Sequence, residues 1–183
     1  MNKGRLFVVS GPSGTGKGTI LAEVLKTNPN LKVSVSATTR SPREGEIDGV
    51  HYHFITKEQF EEKIRRNEML EYAQYCGNYY GTPADYVEKL RSQGYDVILE
   101  IDPCGAEQIR KRCSDAISIF ILPPDIETLK ARLVGRGTES PEVIEERVSQ
   151  AERELATAPL YDHRIVNDEL QKAVDEMNNY FNE

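Results

Sequence analysis

Nine residues constrain this chain's fold more than any others: Gly11-Pro12-Ser13-Gly14-Thr15-Gly16-Lys17-Gly18-Thr19. They follow Arg5 to Ser10 (RLFVVS), a short continuous apolar run of the kind found in a strand covered on both faces. They precede Thr19 to Lys26, where Ile20, Leu21, Val24 and Leu25 recur on one helical stripe, and Asn28-Pro29-Asn30 closes that helix. A glycine-rich turn between buried strand and helix lets successive backbone N–H groups curl toward an anion. The helix adds the positive end of its dipole, and Lys17 adds a mobile positive charge at the spacing that serves β- and γ-phosphates. In this motif a Ser or Thr usually follows the lysine directly. Here Gly18 does, and Thr19 supplies the nearest hydroxyl.

The rest of the chain continues in an α/β rhythm. Asp96 to Asp102 and Ala116 to Leu122 read as core strands, with a weaker one at Arg164 to Asn167. Helical patterns fall at Asp85 to Ser92, Gly105 to Arg112, Asp125 to Val134, Pro141 to Ala158 and Leu170 to Phe181. Strands alternating with helices predict a mostly parallel sheet flanked by helices. Ser34 to Thr82 breaks the rhythm with short alternating segments (HYHFI, EYAQY, NYYG). It predicts an inserted α+β lobe with a small, partly antiparallel sheet and one helix near Lys57 to Asn67.

A net charge of −7 argues against a nucleic-acid binder, which carries a basic footprint. No stretch nears the roughly 20 apolar residues of a membrane span, and the N-terminus lacks signal-peptide character. Cys76, Cys104 and Cys113 are an odd set without paired spacing, which suits a reducing compartment. A cytoplasmic protein without nucleic-acid or membrane partners is expected. His51 and His53 alternate on a strand, but without a cysteine pair they do not predict a zinc site.

Three groups of arginines fit a site that grips phosphates. Arg40 and Arg43 flank a turn stiffened by Pro42, and read either as solvated charges or as a clamp on one monoester dianion. Arg132 and Arg136 share a helix face, with Gly135 and Gly137 suggesting a bendable tip. Arg147 falls within the apolar stripe Val143, Ile144, Val148, Ala151 and Leu155, on a helix with Ser140 as cap and Pro141 at its first position. An inward arginine needs an anionic partner, either a carboxylate of the protein or a bound phosphate. Asp102, at the end of a buried strand, suits a carboxylate near a metal or substrate or, alternatively, a helix cap. Glu100 points to the same side, with its role open.

The order of GPSGTGKGT, SVSATTRSPREGEIDGVHYHF, EYAQYCGNYYGTP, ILEID, LKARLVGRGTES and IVND resembles the guanylate kinases over nearly the whole chain. The middle segments separate this family from other phosphate-loop kinases. The resemblance implies a P-loop kinase core (residues 1–33, 85–125 and 148–183), a GMP-binding lobe (34–84) and a small helical lid (126–147). It implies transfer of the γ-phosphoryl group of ATP to GMP, with closure of lobe and lid. Ser36, Glu71, Thr82 and Asp102 are then expected at the guanine, and Arg40, Arg43, Tyr52 and Tyr80 at the GMP phosphate. Gly11, Pro12, Ser13, Gly14, Thr15, Gly16, Lys17, Gly18 and Thr19 are expected at ATP together with Arg132, Arg136 and Asn167, the last near adenine. Lys17, Arg40, Arg43, Arg132, Arg136 and Arg147 are the catalytic candidates. Mg²⁺ is expected mainly on ATP and waters, with Thr19 or Asp102 as candidate protein ligands. Chemistry supports the base assignment, since guanine offers two adjacent donors and an ionised Glu71 is acceptor-only. Of Tyr79 and Tyr80, one is expected to be cross-strand packing. Another acceptor, or a non-catalytic binding module of the same fold, remains an alternative.

Overall fold

The apolar run at the N-terminus forms β1 (Leu6–Ser10), buried at every position in a computed structural model that describes residues 2–134 and 141–182. The loop then enters α1 (Lys17–Thr27), which starts two residues earlier than the apolar stripe suggests and buries Ile20, Leu21 and Val24. The chain continues through β2 (Leu31–Val33), β3 (Ala37–Thr38), β4 (His53–Phe54), α2 (Lys57–Arg65), β5 (Met69–Tyr75), β6 (Asn78–Pro83) and α3 (Ala84–Ser92). It is completed by β7 (Asp96–Glu100), α4 (Pro103–Arg112), β8 (Ala116–Leu122), α5 (Ile126–Val134), α6 (Pro141–Leu155), a 3-10 turn (Ala158–Leu160), β9 (His163–Val166) and α7 (Leu170–Asn182).

The fold is α/β as expected: one five-stranded sheet in the order β2-β7-β1-β8-β9 and a four-stranded sheet in the order β4-β3-β6-β5. Pairs β2–β7 and β8–β9 are parallel. The smaller sheet is mixed, with β3–β4 parallel but β3–β6 and β5–β6 antiparallel. Two compact units emerge, Met1–Phe7 with Asn30–Leu99 and Cys104–Ala116, and Val8–Pro29 with Glu100–Pro103 and Ile117–Glu183.

In the first unit, the small sheet packs Ala37 and Met69 against Phe60 of α2. Thr56 caps α2 with a full capping box: its side chain accepts from the Gln59 N–H, and the Gln59 side chain accepts from the Thr56 N–H. Asn67, at φ 55, follows the helix, which stops at Arg65 rather than Asn67. Strands β5 and β6 meet at Cys76-Gly77, both with positive φ (49° and 77°), the backbone of a two-residue hairpin that continues the strand twist. In the second unit, α5 and α6 share a core of Leu129, Leu133, Val148 and Ala151. Each fully buried aliphatic side chain contributes about 2 kcal/mol through its removal from water.

The structure adds one strand and corrects sequence expectations at two further points. Strand β2 lies at Leu31–Val33, ahead of the expected lobe, and pairs with β7 from Asp96 to Ile98. The strand expected through Asp102 ends at Glu100, because α4 already begins at Pro103. Val143 is 41% exposed, so the buried stripe of α6 runs through Ile144, Val148, Ala151 and Leu155 without it. Gly135, Arg136, Gly137 and Ser140 lie outside the described residues.

Candidate functional site

Backbone conformation shapes the loop before any side chain acts. Gly11 sits at φ 143°, and a Cβ there would stand 2.4 Å from the Ile121 carbonyl oxygen. Gly16 sits at φ 86°, and a Cβ there would stand 2.5 Å from Nδ2 of Asn167. No other residue fits either position without displacing a neighbour. The fully buried Thr15 donates its hydroxyl to the Pro12 carbonyl at 2.9 Å. Nδ2 of the buried Asn167 donates to the Thr15 carbonyl at 2.8 Å, and Arg132 donates to the Asn167 carbonyl at 3.2 Å. Asn167 is therefore tied into the wall of the loop.

Lys17 opens α1 and folds back over the loop. Its Nζ donates to the carbonyls of Gly11 (2.5 Å) and Pro12 (3.1 Å). Burial pushes its pKa below the ordinary lysine value, while the carboxylates of Glu100, Glu154 and Asp102 push in the opposite direction. Arg147, the inward arginine of α6, donates to the Ser13 hydroxyl at 3.0 Å and so reaches the loop itself. Gly18 leaves room: an added Cβ would meet Oε1 of Glu100 at 3.6 Å, an ordinary contact. Thr19 and Asp102 are exposed. The oxygen donors around Lys17 have the hard character that Mg²⁺ prefers.

Glu154 is absent from the sequence reading. Near the C-terminal end of α6, its carboxyl is pushed up by burial and by Asp102, and drawn down by a hydrogen bond from Gln150 and by the Lys17 charge. Nothing in its sequence context marks it, because it meets Lys17 only through the fold.

The small sheet builds a second constellation. Glu71 on β5 and Thr82 on β6 are register partners, 6% and 1% exposed, and the Thr82 hydroxyl donates to Oε1 of Glu71 at 2.6 Å. Ser36 is half-buried and its carbonyl accepts from the N–H of His53 at 2.8 Å. Arg40 gathers the predicted phosphate ligands. Its guanidinium lies 5.4 Å from the Tyr52 ring centre, and hydrogen bonds, first with Glu46 and then with Tyr80, raise its pKa above the ordinary arginine value. Tyr52 and Tyr80 meet edge-on at 6.1 Å. Of the two tyrosines on β6, Tyr79 is the packing residue, stacked on Phe60 at 5.0 Å. Asp102 belongs to the other compact unit.

Glu46 was also missed. It takes a bidentate grip from Arg40 (2.8 and 2.9 Å) and a third hydrogen bond from the Arg43 backbone N–H (2.7 Å). These bonds, led by that from the Arg40 side chain, hold its carboxyl down at about 2. The signal is the turn itself: Glu46 lies three residues after Arg43, the spacing at which a glutamate side chain reaches back to the N–H of the turn's first residue, as in a capping box. The Arg43 side chain is exposed.

The sequence model of a family described as guanylate kinase matches residues 3–183. The chain is 51% identical to a guanylate kinase of Neisseria meningitidis serogroup A / serotype 4A over 98% of its own length and 88% of that protein's. It is 52% identical to one of Carboxydothermus hydrogenoformans, covering 97% and 87% respectively. Among solved structures, the crystal structure of guanylate kinase from Anaplasma phagocytophilum superposes with a TM-score of 0.77 at 30% identity, over 100% of this chain and 86% of that one.

Proposed function

Because the chain belongs to the guanylate kinase family and is an ATP:GMP phosphotransferase, we propose that the γ-phosphoryl group of ATP passes directly to a phosphate oxygen of GMP. The bond to the β-phosphate bridging oxygen breaks as the bond to GMP forms, giving ADP and GDP. The GMP phosphate is itself the nucleophile, so no covalent enzyme intermediate is needed. The protein's task is to align the two phosphates and to neutralise charge.

In this reading Lys17 and the backbone from Gly11 to Thr19 hold the ATP phosphates. Arg132, Arg136 and Arg147 bring charge from residues 126–147, a lid. Asn167 borders the adenine and stiffens the loop through Thr15. Residues 34–84 form the GMP lobe, in which Arg40, Arg43, Tyr52 and Tyr80 take the phosphate and Ser36, Glu71 and Thr82 take the base, with Asp102 from the core. Bound chiefly to ATP and water, with Thr19 or Asp102 as protein donors, Mg²⁺ supplies further charge neutralisation at the phosphates. Closure of lobe and lid expels water and so suppresses hydrolysis of ATP. A cytoplasmic setting accords with three free cysteines. Among the described residues no helix is long and apolar enough to cross a membrane.

The observation that supports this reading most is the buried Glu71 with Thr82 beside it. An ionised carboxylate accepts from both N1–H and the N2 amino group of guanine, whereas adenine would present it with a lone pair. A coupled assay with ATP, Mg²⁺ and GMP, AMP, CMP or UMP tests it. GMP should be preferred over AMP by about 10⁴-fold in kcat/KM. Equal rates with AMP, or no turnover with any acceptor, would overturn the assignment.

A further inference from the structure

The small sheet has a second face. Side chains alternate along a strand, so Tyr52 and Phe54 flank a residue on the opposite side, His53, and Ser36 and Thr38 flank Ala37 in the same way. Ala37 and His53 are register partners across β3 and β4, and so sit side by side on that opposite face. They line a pocket of about 410 Å³ that α2 and α3 complete, with Ile55 and Pro83 extending its apolar wall. That volume is in the range of small-molecule sites, which combine apolar walls with a few polar groups.

Two features of the lining point to a ligand. First, the His53 ring stands edge-on to Tyr86 of α3 at 5.2 Å, and its Nε2 is buried with no hydrogen-bond partner among the described residues. A buried ring nitrogen left unpaired is uncommon and calls for a partner. Second, Lys63 of α2 and Lys89 of α3 place two ammonium groups on the lining of a protein whose net charge is −7. Lys63 is 27% exposed and is shared between Asp85 at 3.6 Å and Glu68 at 3.7 Å, so Lys89 is the cation on the lining that is left for a ligand. Lys89 is exposed and has no carboxylate partner among the described residues. Asp85, the acid on the lining, is 71% exposed and faces Lys63.

We propose that this pocket is a ligand site for a small planar aromatic acid. The ring packs on the apolar wall beside His53 and Tyr86, the carboxylate meets Lys89, and a polar substituent meets Nε2 of His53. The site is separate from the face carrying Tyr52, Tyr80 and Thr82, and its existence does not depend on the nucleotide assignment.

The probe is 4-hydroxybenzoate, titrated into the ¹⁵N-labelled full chain with and without saturating GMP, with neutral 4-hydroxybenzamide as control. Saturable shifts are expected at His53, Ile55, Lys63 and Tyr86, persisting with GMP present and weaker for the amide. Lys89→Glu, a change at an exposed position, should weaken the acid by about fivefold or more, the scale of one or two exposed charge interactions, while leaving the amide unaffected. Absence of saturable shifts in the pocket, displacement by GMP, or equal binding by Lys89→Glu would each overturn the proposal.

Discussion

Thr82 donates its hydroxyl to Oε1 of Glu71 at 2.6 Å, with both side chains buried in the small sheet. The bond fixes the plane of a carboxylate that has little water around it. Glu71→Gln would keep the shape and put an amide N–H₂ where the proposed guanine contact needs an acceptor. The expected outcome is a fall of about 10²-fold or more in kcat/KM for GMP with the KM for ATP nearly unchanged. Steady-state kinetics with each nucleotide varied checks this, and unchanged GMP selectivity would remove Glu71 from the base site.

Glu46 sets the orientation of Arg40. Its carboxyl is lowered from the ordinary 4.5 to about 2 by its hydrogen bonds. A depressed carboxyl contributes stability in full above its unfolded value and loses it as pH falls through its folded value. The Glu46–Arg40 contact should therefore begin to weaken only below pH 4.5 and be lost near pH 2. The carboxyl ¹³C shift of Glu46 followed from neutral to acid pH reports it directly. Glu46→Gln should raise the KM for GMP by about tenfold by loosening the Arg40 fork, and leave ATP binding in place.

Burial disfavours the charge of Lys17, although the carboxylates around it favour that charge. Burial lowers its pKa below the ordinary value, so carrying the proton at neutral pH costs folding stability, and the cost is relieved as pH rises through the folded value. Lys17→Met should keep or raise Tm while lowering kcat by about 10²–10³-fold or more. Calorimetry and single-turnover kinetics separate the two effects. Near-normal turnover would refute its role.

Gly16 and Asn167 form one joint. Gly16→Ala combines an unfavourable positive φ with a contact at 2.5 Å to Asn167 Nδ2 and should weaken ATP binding more than GMP binding. Asn167→Ala leaves the buried Thr15 carbonyl without its donor, at a cost of about 1–3 kcal/mol. Chemical denaturation and ATP titration on both variants test this, and an Asn167→Ala chain with unaltered stability would show the joint to be dispensable.

The elements set by a strong local signal were legible in the sequence. The continuous apolar runs of β1, β7 and β8 and the loop glycines read directly, since burial on both faces and positive φ leave little freedom. Strand β2 did not read, because Leu31-Lys32-Val33 is too short for a period and its pairing with Asp96–Ile98 is non-local. Val143 was read as core because helical spacing gives an angle but not the edge of the partner surface. At the candidate site, Arg40, Tyr52 and Tyr80, which only the family resemblance groups, lie near one another. Glu154 lies far from Lys17 in sequence and could be found only once the chain was folded.

The resting arrangement of Lys17 has a kinetic corollary. With its ammonium already held by the carbonyls of Gly11 and Pro12, a triphosphate bound as proposed would gain a contact only by displacing two others. Such an exchange would trim the net affinity for any phosphate tail that Lys17 holds. A catalyst that must shed ADP on every cycle is helped by a grip whose alternative is nearly as comfortable, because departure then leaves no stranded charge behind.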